Sequence, residues 1–215
     1  MSQNQINKQN LLDSARLHVQ KITKSINTAI AYSEDSAQIF TKKKFTGDTA
    51  DSRMYKEMYM LHAQMHRENI EDYKFLLGEP YFSRCDVIFE ETNEVKSMYF
   101  SKFSFIEDDI YSWIAPAAKL RFENVGDIVI ESPNGQRIHG KLLRKDQFMI
   151  VNGEIIFMAS EATDYERTLI HQEYLSNRKQ AGFVMQDIVA LMEKAQDHVI
   201  RADAKGSFLI SGPAG

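Results

Sequence analysis

The chain has 215 residues, is 43% hydrophobic and 26% charged, and carries a formal net charge of −4. That balance fits one ordinary folded domain with an appendage, or two small domains, and excludes a disordered chain or a whole-chain basic field for nucleic acid. Cys85 is the only cysteine, which excludes an internal disulfide and a multi-cysteine zinc site. The first residues are polar and amide-rich, with no signal-peptide core. No run reaches the ~18 apolar residues that span a bilayer. The expectation is a cytoplasmic protein without a membrane partner.

The first segment reads as a helical arm. Leu12, Ala15, Val19, Ile22, Ile26 and Ala29 recur at 3-4 spacing, an a/d seam. Met54, Met58, Leu61 and Met65 make a second, softer seam. The two predict an antiparallel helical hairpin, a short coiled coil over residues 1–77. Residues 33–52 read as the connector, broken by Gly47-Asp48. It carries Glu34, Asp35, Phe40, Lys42, Lys43, Lys44 and Phe45, and two phenylalanines beside charges make it a candidate partner-binding tip. His62 and His66 have i, i+4 spacing, but Ala63 stands where a zinc protease needs Glu, so they read as surface histidines. Gly78 and Pro80 close the second helix.

Residues 78–160 read as a small antiparallel β-rich unit or partly open barrel. Strands are expected at 86–90, 96–105 with a bend near Lys102, 128–131, 137–150 and 155–158. Pro133-Asn134-Gly135 and Asn152-Gly153 mark turns. Trp113 in Trp113-Ile114-Ala115-Pro116 reads as a core anchor.

Residues 161–215 read as helices leading into the first strand of a P-loop α/β domain. Helical spacing is read at 164–175 and at 183–201, where Val184, Ile188, Leu191, Ala195 and Val199 share a face. The apolar run 207–210 then enters Ser211-Gly212-Pro213-Ala214-Gly215. A strand running into a Gly-rich turn is how the phosphate cradle G-x-x-x-x-G-K-[ST] begins. Gly212 would be its first glycine, and the cationic and hydroxyl residues would lie past Gly215. The fold class expected is therefore α+β.

Six stretches carry a family resemblance: Gly78-Glu79-Pro80-Tyr81-Phe82-Ser83-Arg84-Cys85-Asp86, Ile110-Tyr111-Ser112-Trp113-Ile114-Ala115-Pro116, Ser132-Pro133-Asn134-Gly135, Lys145-Asp146-Gln147-Phe148-Met149-Ile150-Val151-Asn152-Gly153, Gln196-Asp197-His198-Val199-Ile200-Arg201 and Ile210-Ser211-Gly212-Pro213-Ala214-Gly215. In order and spacing they resemble the N-terminal region of HelD-type ATPases, relatives of UvrD/Rep superfamily 1 helicases that act on bacterial RNA polymerase. The chain departs from that pattern at Ser83, Ser112 and Ile114.

The resemblance implies that the hairpin enters a polymerase channel and that Gln196 reads adenine. It also implies that Gly212, Pro213, Ala214 and Gly215 begin the ATP site, with Mg²⁺ bound in the full-length parent. Two other readings stay open. One is a DNA helicase whose arm meets nucleic acid through Lys42, Lys43 and Lys44. The other is a non-enzymatic interaction module.

Overall fold

A computed structural model describes residues 3–44, 49–131 and 137–171. The architecture is α+β: two long helices, then a mixed sheet with seven strands among the described residues. Helix α1 spans Gln3–Lys42 and α2 spans Ala50–Gly78. The first seam is buried as its spacing requires: Leu12, Ala15, Val19, Ile22 and Ile26 are inside and Ala29 is half-buried.

The helix does not stop where the connector was expected. The 3-4 rhythm continues through Ser33, Ser36 and Phe40, and α1 keeps its hydrogen bonding to Lys42. No Gly or Pro interrupts residues 30–42, and Ser33, Ser36 and Ala37 are small and buried. Thr49 caps α2, its hydroxyl accepting from the Ser52 amide at 3.2 Å.

The methionine seam is overturned. Met54, Met58, Leu61 and Met65 are 59, 43, 58 and 50% exposed. The inward face of α2 runs instead through Tyr59, Ala63, His66, Ile70, Tyr73 and Leu77, spaced 4-3-4-3-4. Tyr and His carry a polar tip on an apolar body, so they can fill an inner seam while ranking low in hydropathy. Ring stacking of the kind described below then outweighs the methionines, which face solvent.

The strands are β1 (Ser83–Phe89), β2 (Val95–Ser101), β3 (Ile110–Ser112), β4 (Gly126–Glu131), β5 (Arg137–Val151), β6 (Glu154–Ala162) and β7 (Tyr165–His171). Their order is β3-β2-β1-β5-β6-β7, with β4 also paired to β5. All pairs are antiparallel except β2–β3. The 15-residue β5 organises the sheet. Its first half takes β4 and its second half takes β6 along one edge, while β1 runs along the other. Gly140 is required there, because a Cβ would stand 2.7 Å from the Ile88 carbonyl.

The Asn152-Gly153 turn forms as expected, with φ of 51° and 76°. The Gly153 amide also donates to the Gly78 carbonyl at 2.9 Å, tying the end of α2 to the β5–β6 turn. β2 ends at Ser101 and the chain bends at Lys102 and Phe103.

The helix read from residue 164 is corrected to strand β7, paired with β6 through a turn at Thr163 and Asp164. Tyr165, Thr168 and Ile170 suit a pleated edge, and a short apolar segment fits both periods. Trp113 is also corrected: it is half-buried in a turn, and Ile114 beside it is 65% exposed. Ala118 and Leu120 of the 3₁₀ segment Pro116–Phe122 fill that side of the core.

The sheet buries both faces. On one, α1 and α2 pack with Tyr81, Tyr99, Phe148, Ile155, Met158 and Ile170. On the other, Cys85, Val87, Met98, Phe100, Ile128 and Leu142 meet Ala118 and Leu120. Successive residues Met98, Tyr99 and Phe100 alternate between the two clusters, as strand geometry demands. All described residues belong to one compact unit, Met1–Gln172. Among them, no helix is long and apolar enough to cross a membrane.

Ile22 is fully buried, so Ile22→Ala should cost about 2–5 kcal/mol. Met58→Ala, on the outward face, should change stability by no more than about 0.5 kcal/mol. Urea unfolding of the two variants checks both values and the corrected seam of α2.

Candidate functional site

The expected tip residues divide into two groups. Glu34, Asp35, Lys42, Lys43 and Lys44 are exposed. Glu34 sits about 12 Å and Asp35 about 10.5 Å below Lys42 along α1, from eight and seven residues at 1.5 Å each. Lys42 donates to Gln38 at 3.2 Å. Phe40 instead turns into the hairpin. Its ring stacks on His62 and His66, with centroids 5.2 and 5.7 Å away, and meets Tyr59 edge-on at 5.4 Å. Tyr32 adds an edge contact to His66 at 6.0 Å. Phe40 is thus a clasp between the helices, and His62 and His66 are its stacking partners. Arg67 reaches across to the Thr41 hydroxyl at 2.9 Å. Phe45, Gln196, Gly212, Pro213, Ala214 and Gly215 lie outside the described residues.

Where α1 meets the sheet, the structure gathers polar groups that sequence reasoning missed. His18 stacks flat on Tyr99, with centroids 4.1 Å apart and planes at 11°, and its Nδ1 lies 3.1 Å from the Tyr81 hydroxyl. Burial, reinforced by Arg84 and Lys21, pulls the His18 imidazole down to about 4. Burial also pushes the Tyr99 phenol up to about 12 and raises the Tyr81 phenol. His18 is therefore a neutral imidazole at ordinary pH, bonded to a neutral phenol.

Under this stack lie two Arg-x-Asp pairs on neighbouring strands. Arg84 grips Asp86 with two bonds of 2.8 Å, and Ser97 donates to the same carboxylate at 2.7 Å. Arg144 donates to Asp146 at 2.9 Å, and the Ser160 hydroxyl donates to it as well. Tyr165 of β7 joins Ser160 at 2.7 Å. The Asp146 side chain is fully buried, and burial raises its carboxyl above the usual range while Arg144 and Ser160 pull it back. The spacing was a readable signal: residues i and i+2 share one face of a strand. Cys85, between Arg84 and Asp86, faces the opposite core, and burial pushes its thiol up to about 12, which leaves it unreactive.

Beside His18 opens a cleft of about 450 Å³ between α1, the β1–β2 turn and the turn at 106–109. Its charged lining is Lys21, Glu94, Lys96, Glu107, Asp108 and Asp109. Lys21 pairs with Asp108 at 3.2 Å and Lys96 with Asp109 at 3.3 Å. Among the described residues, no group of three His, Cys, Asp or Glu side chains is placed to hold a metal ion.

No protein-family model matches the chain, and no curated protein is significantly similar to it.

His18 is neutral when folded and has an ordinary value of 6.5 when unfolded. Between pH 6.5 and about 4 the unfolded chain takes up a proton that the folded chain refuses, so stability falls as pH is lowered across that window. Urea midpoints against pH should show a shallower fall for His18→Phe than for the parent chain. Asp146→Ala, which strands Arg144, should cost about 3–5 kcal/mol by the same measurement.

Proposed function

We propose that the chain is the N-terminal region of an ATP-dependent superfamily 1 motor that binds RNA polymerase and promotes its release from nucleic acid in the cytoplasm. The observation that carries this reading is the apolar run 207–210 entering Ser211-Gly212-Pro213-Ala214-Gly215, in the order and spacing of the other five stretches. Gln196 would read the adenine, and Gly212, Pro213, Ala214 and Gly215 would begin the ATP and Mg²⁺ site. The cationic and hydroxyl groups that complete such a site are not among these 215 residues, so the chain by itself is proposed to be inactive as an ATPase.

The hairpin is compatible with an arm that engages a protein. At 1.5 Å per residue, the 40 residues of α1 extend about 60 Å. The base of the helices shares the core of the sheet. Farther out, Ser33, Ser36, Ala37 and Ala63 are buried in neither of the two sheet clusters. Charged residues stand exposed near the turn. A second reading, an interaction module with no ATP chemistry, is favoured by one observation: the outward face of α2 exposes Met54, Tyr55, Met58, Leu61 and Met65.

Bacterial RNA polymerase core enzyme should be captured by the immobilised chain. Replacing Lys42, Lys43 and Lys44 with Glu should weaken capture about tenfold or more, since several charges are inverted on one contact surface. Equal capture by parent and variant would remove the arm from the proposal. Reading the natural gene past Gly215 tests the motor directly: Gly-Lys-Thr or Gly-Lys-Ser soon after it supports ATP chemistry, and any other continuation leaves the interaction module.

A further inference from the structure

The outward side of α2 carries an apolar stripe. Met54, Met58, Leu61 and Met65 are each about half exposed. At ~100° per residue they fall within about 60° of arc, on the side of the helix opposite buried Ala63 and Ile70. Their 4-3-4 spacing is the seam of a coiled coil, whose knobs are met by a facing helix. Large exposed side chains in one contiguous line mark an interaction surface.

The charges of α2 are sorted about this stripe. Asp51 and Glu68 stand at its two ends, and Glu57 flanks it one turn before Leu61. Every lysine and arginine of the helix, Arg53, Lys56, Arg67 and Lys74, lies more than about 100° from the centre of the stripe. Arg67 and Lys74 have partners on that other side, Thr41 at 2.9 Å and Glu71 at 3.0 Å. Asp72 continues the line toward the sheet. Burial first, and then the Glu68 charge, raise its carboxyl, against a smaller opposing pull from Lys102. The stripe is thus an apolar seam in an acidic frame.

That frame decides between occupants. A second copy laid antiparallel, with Met54 facing Met65 and Met58 facing Leu61 across the pair, sets Asp51 against Glu68 at both ends. Laid parallel, each acid meets its own copy. Like charges oppose either arrangement. Anionic lipid and nucleic acid meet the same repulsion. We propose that this face of α2 docks an amphipathic helix of a partner protein, with Leu or Met along its seam and Lys or Arg on both flanks. Methionine side chains repack around such a seam without demanding one shape. The proposal deepens the interaction reading and rests on its exposed face of α2, using neither the tip lysines nor ATP chemistry.

Fluorescence anisotropy of labelled three-heptad peptides, titrated with the 215-residue chain, tests this. One peptide has Leu at a and d with Lys at e and g; a second has Glu at e and g. Saturable binding of the Lys-flanked peptide is expected, about tenfold or more tighter than of the Glu-flanked one. Met58→Asp with Leu61→Asp should weaken it about tenfold or more. Met60→Asp, at an exposed methionine off the stripe, should leave it unchanged. Glu57→Lys with Glu68→Lys should reverse the preference between the peptides. All these substitutions are at exposed positions, so the fold is retained. No saturation by the Lys-flanked peptide at submillimolar concentrations overturns the proposal. Equal affinity for the two peptides, or full affinity in the Met58→Asp, Leu61→Asp variant, does the same. Self-association in sedimentation that this variant abolishes hands the face to a second copy and also overturns it. Polymerase capture through the tip and the residues past Gly215 are read independently, and either can fail while the peptide preference stands.

Discussion

Everything in this molecule hangs on one continuous helical seam. From Leu12 to Phe40, α1 presents a residue to its inner face at every 3-4 step, and that face changes partner along its length. Leu12, Ala15, Val19, Ile22 and Ile26 share the core with strands on one face of the sheet. Ser33, Ser36 and Phe40 belong to the contact with α2. A single rigid element is thus both the cover of the β-structure and one half of the arm. Without α1, Tyr81, Tyr99 and Phe148 would lose the helix that shares their cluster, and the apolar area exposed would oppose folding at ~25 cal/mol per Å².

The polar groups beneath α1 are arranged to survive that burial. The Arg84–Asp86 and Arg144–Asp146 pairs cancel charge within each strand, and Ser97, Ser160 and Tyr165 occupy further hydrogen-bonding positions. Such networks contribute little net stability but penalise any register that separates their members. A one-residue slip of β5 against β1 would turn Asp146 toward the apolar face that holds Cys85 and Leu142. The network therefore enforces pairing, while the two hydrophobic clusters supply the driving force.

Much of this was legible in the chain. The first seam, the two-helix hairpin, the strand-rich middle and the Asn152-Gly153 turn all announce themselves through local periodicity and turn chemistry. The inner face of α2 did not, because Tyr59, His66 and Tyr73 are amphipathic and the brighter methionine pattern lies on the other side of the helix. β7 was hidden because a seven-residue segment gives too few repeats to separate a period of 2 from one of 3.6. The His18 cleft was invisible for a different reason: His18, Glu94 and Asp108 are far apart in sequence, and only the crossing of α1 over β2 brings them together. Phe40 was read as part of a partner-binding tip, whereas its ring meets histidines of its own hairpin.

The small, polar character of the distal seam has a mechanical consequence. Ser33, Ser36, Ala37 and Ala63 bury little area, and the clasp around Phe40 is built from individual ring contacts of about 1 kcal/mol each. Nearer the sheet, Ile22, Ile26 and Leu76 are sealed completely. The chain itself joins the two helices at that far end, so the distal section is held by the connector and the ring clasp, while the aliphatic section seals the root. Tension on the tip therefore falls first on polar and ring contacts, and only then on the sealed base.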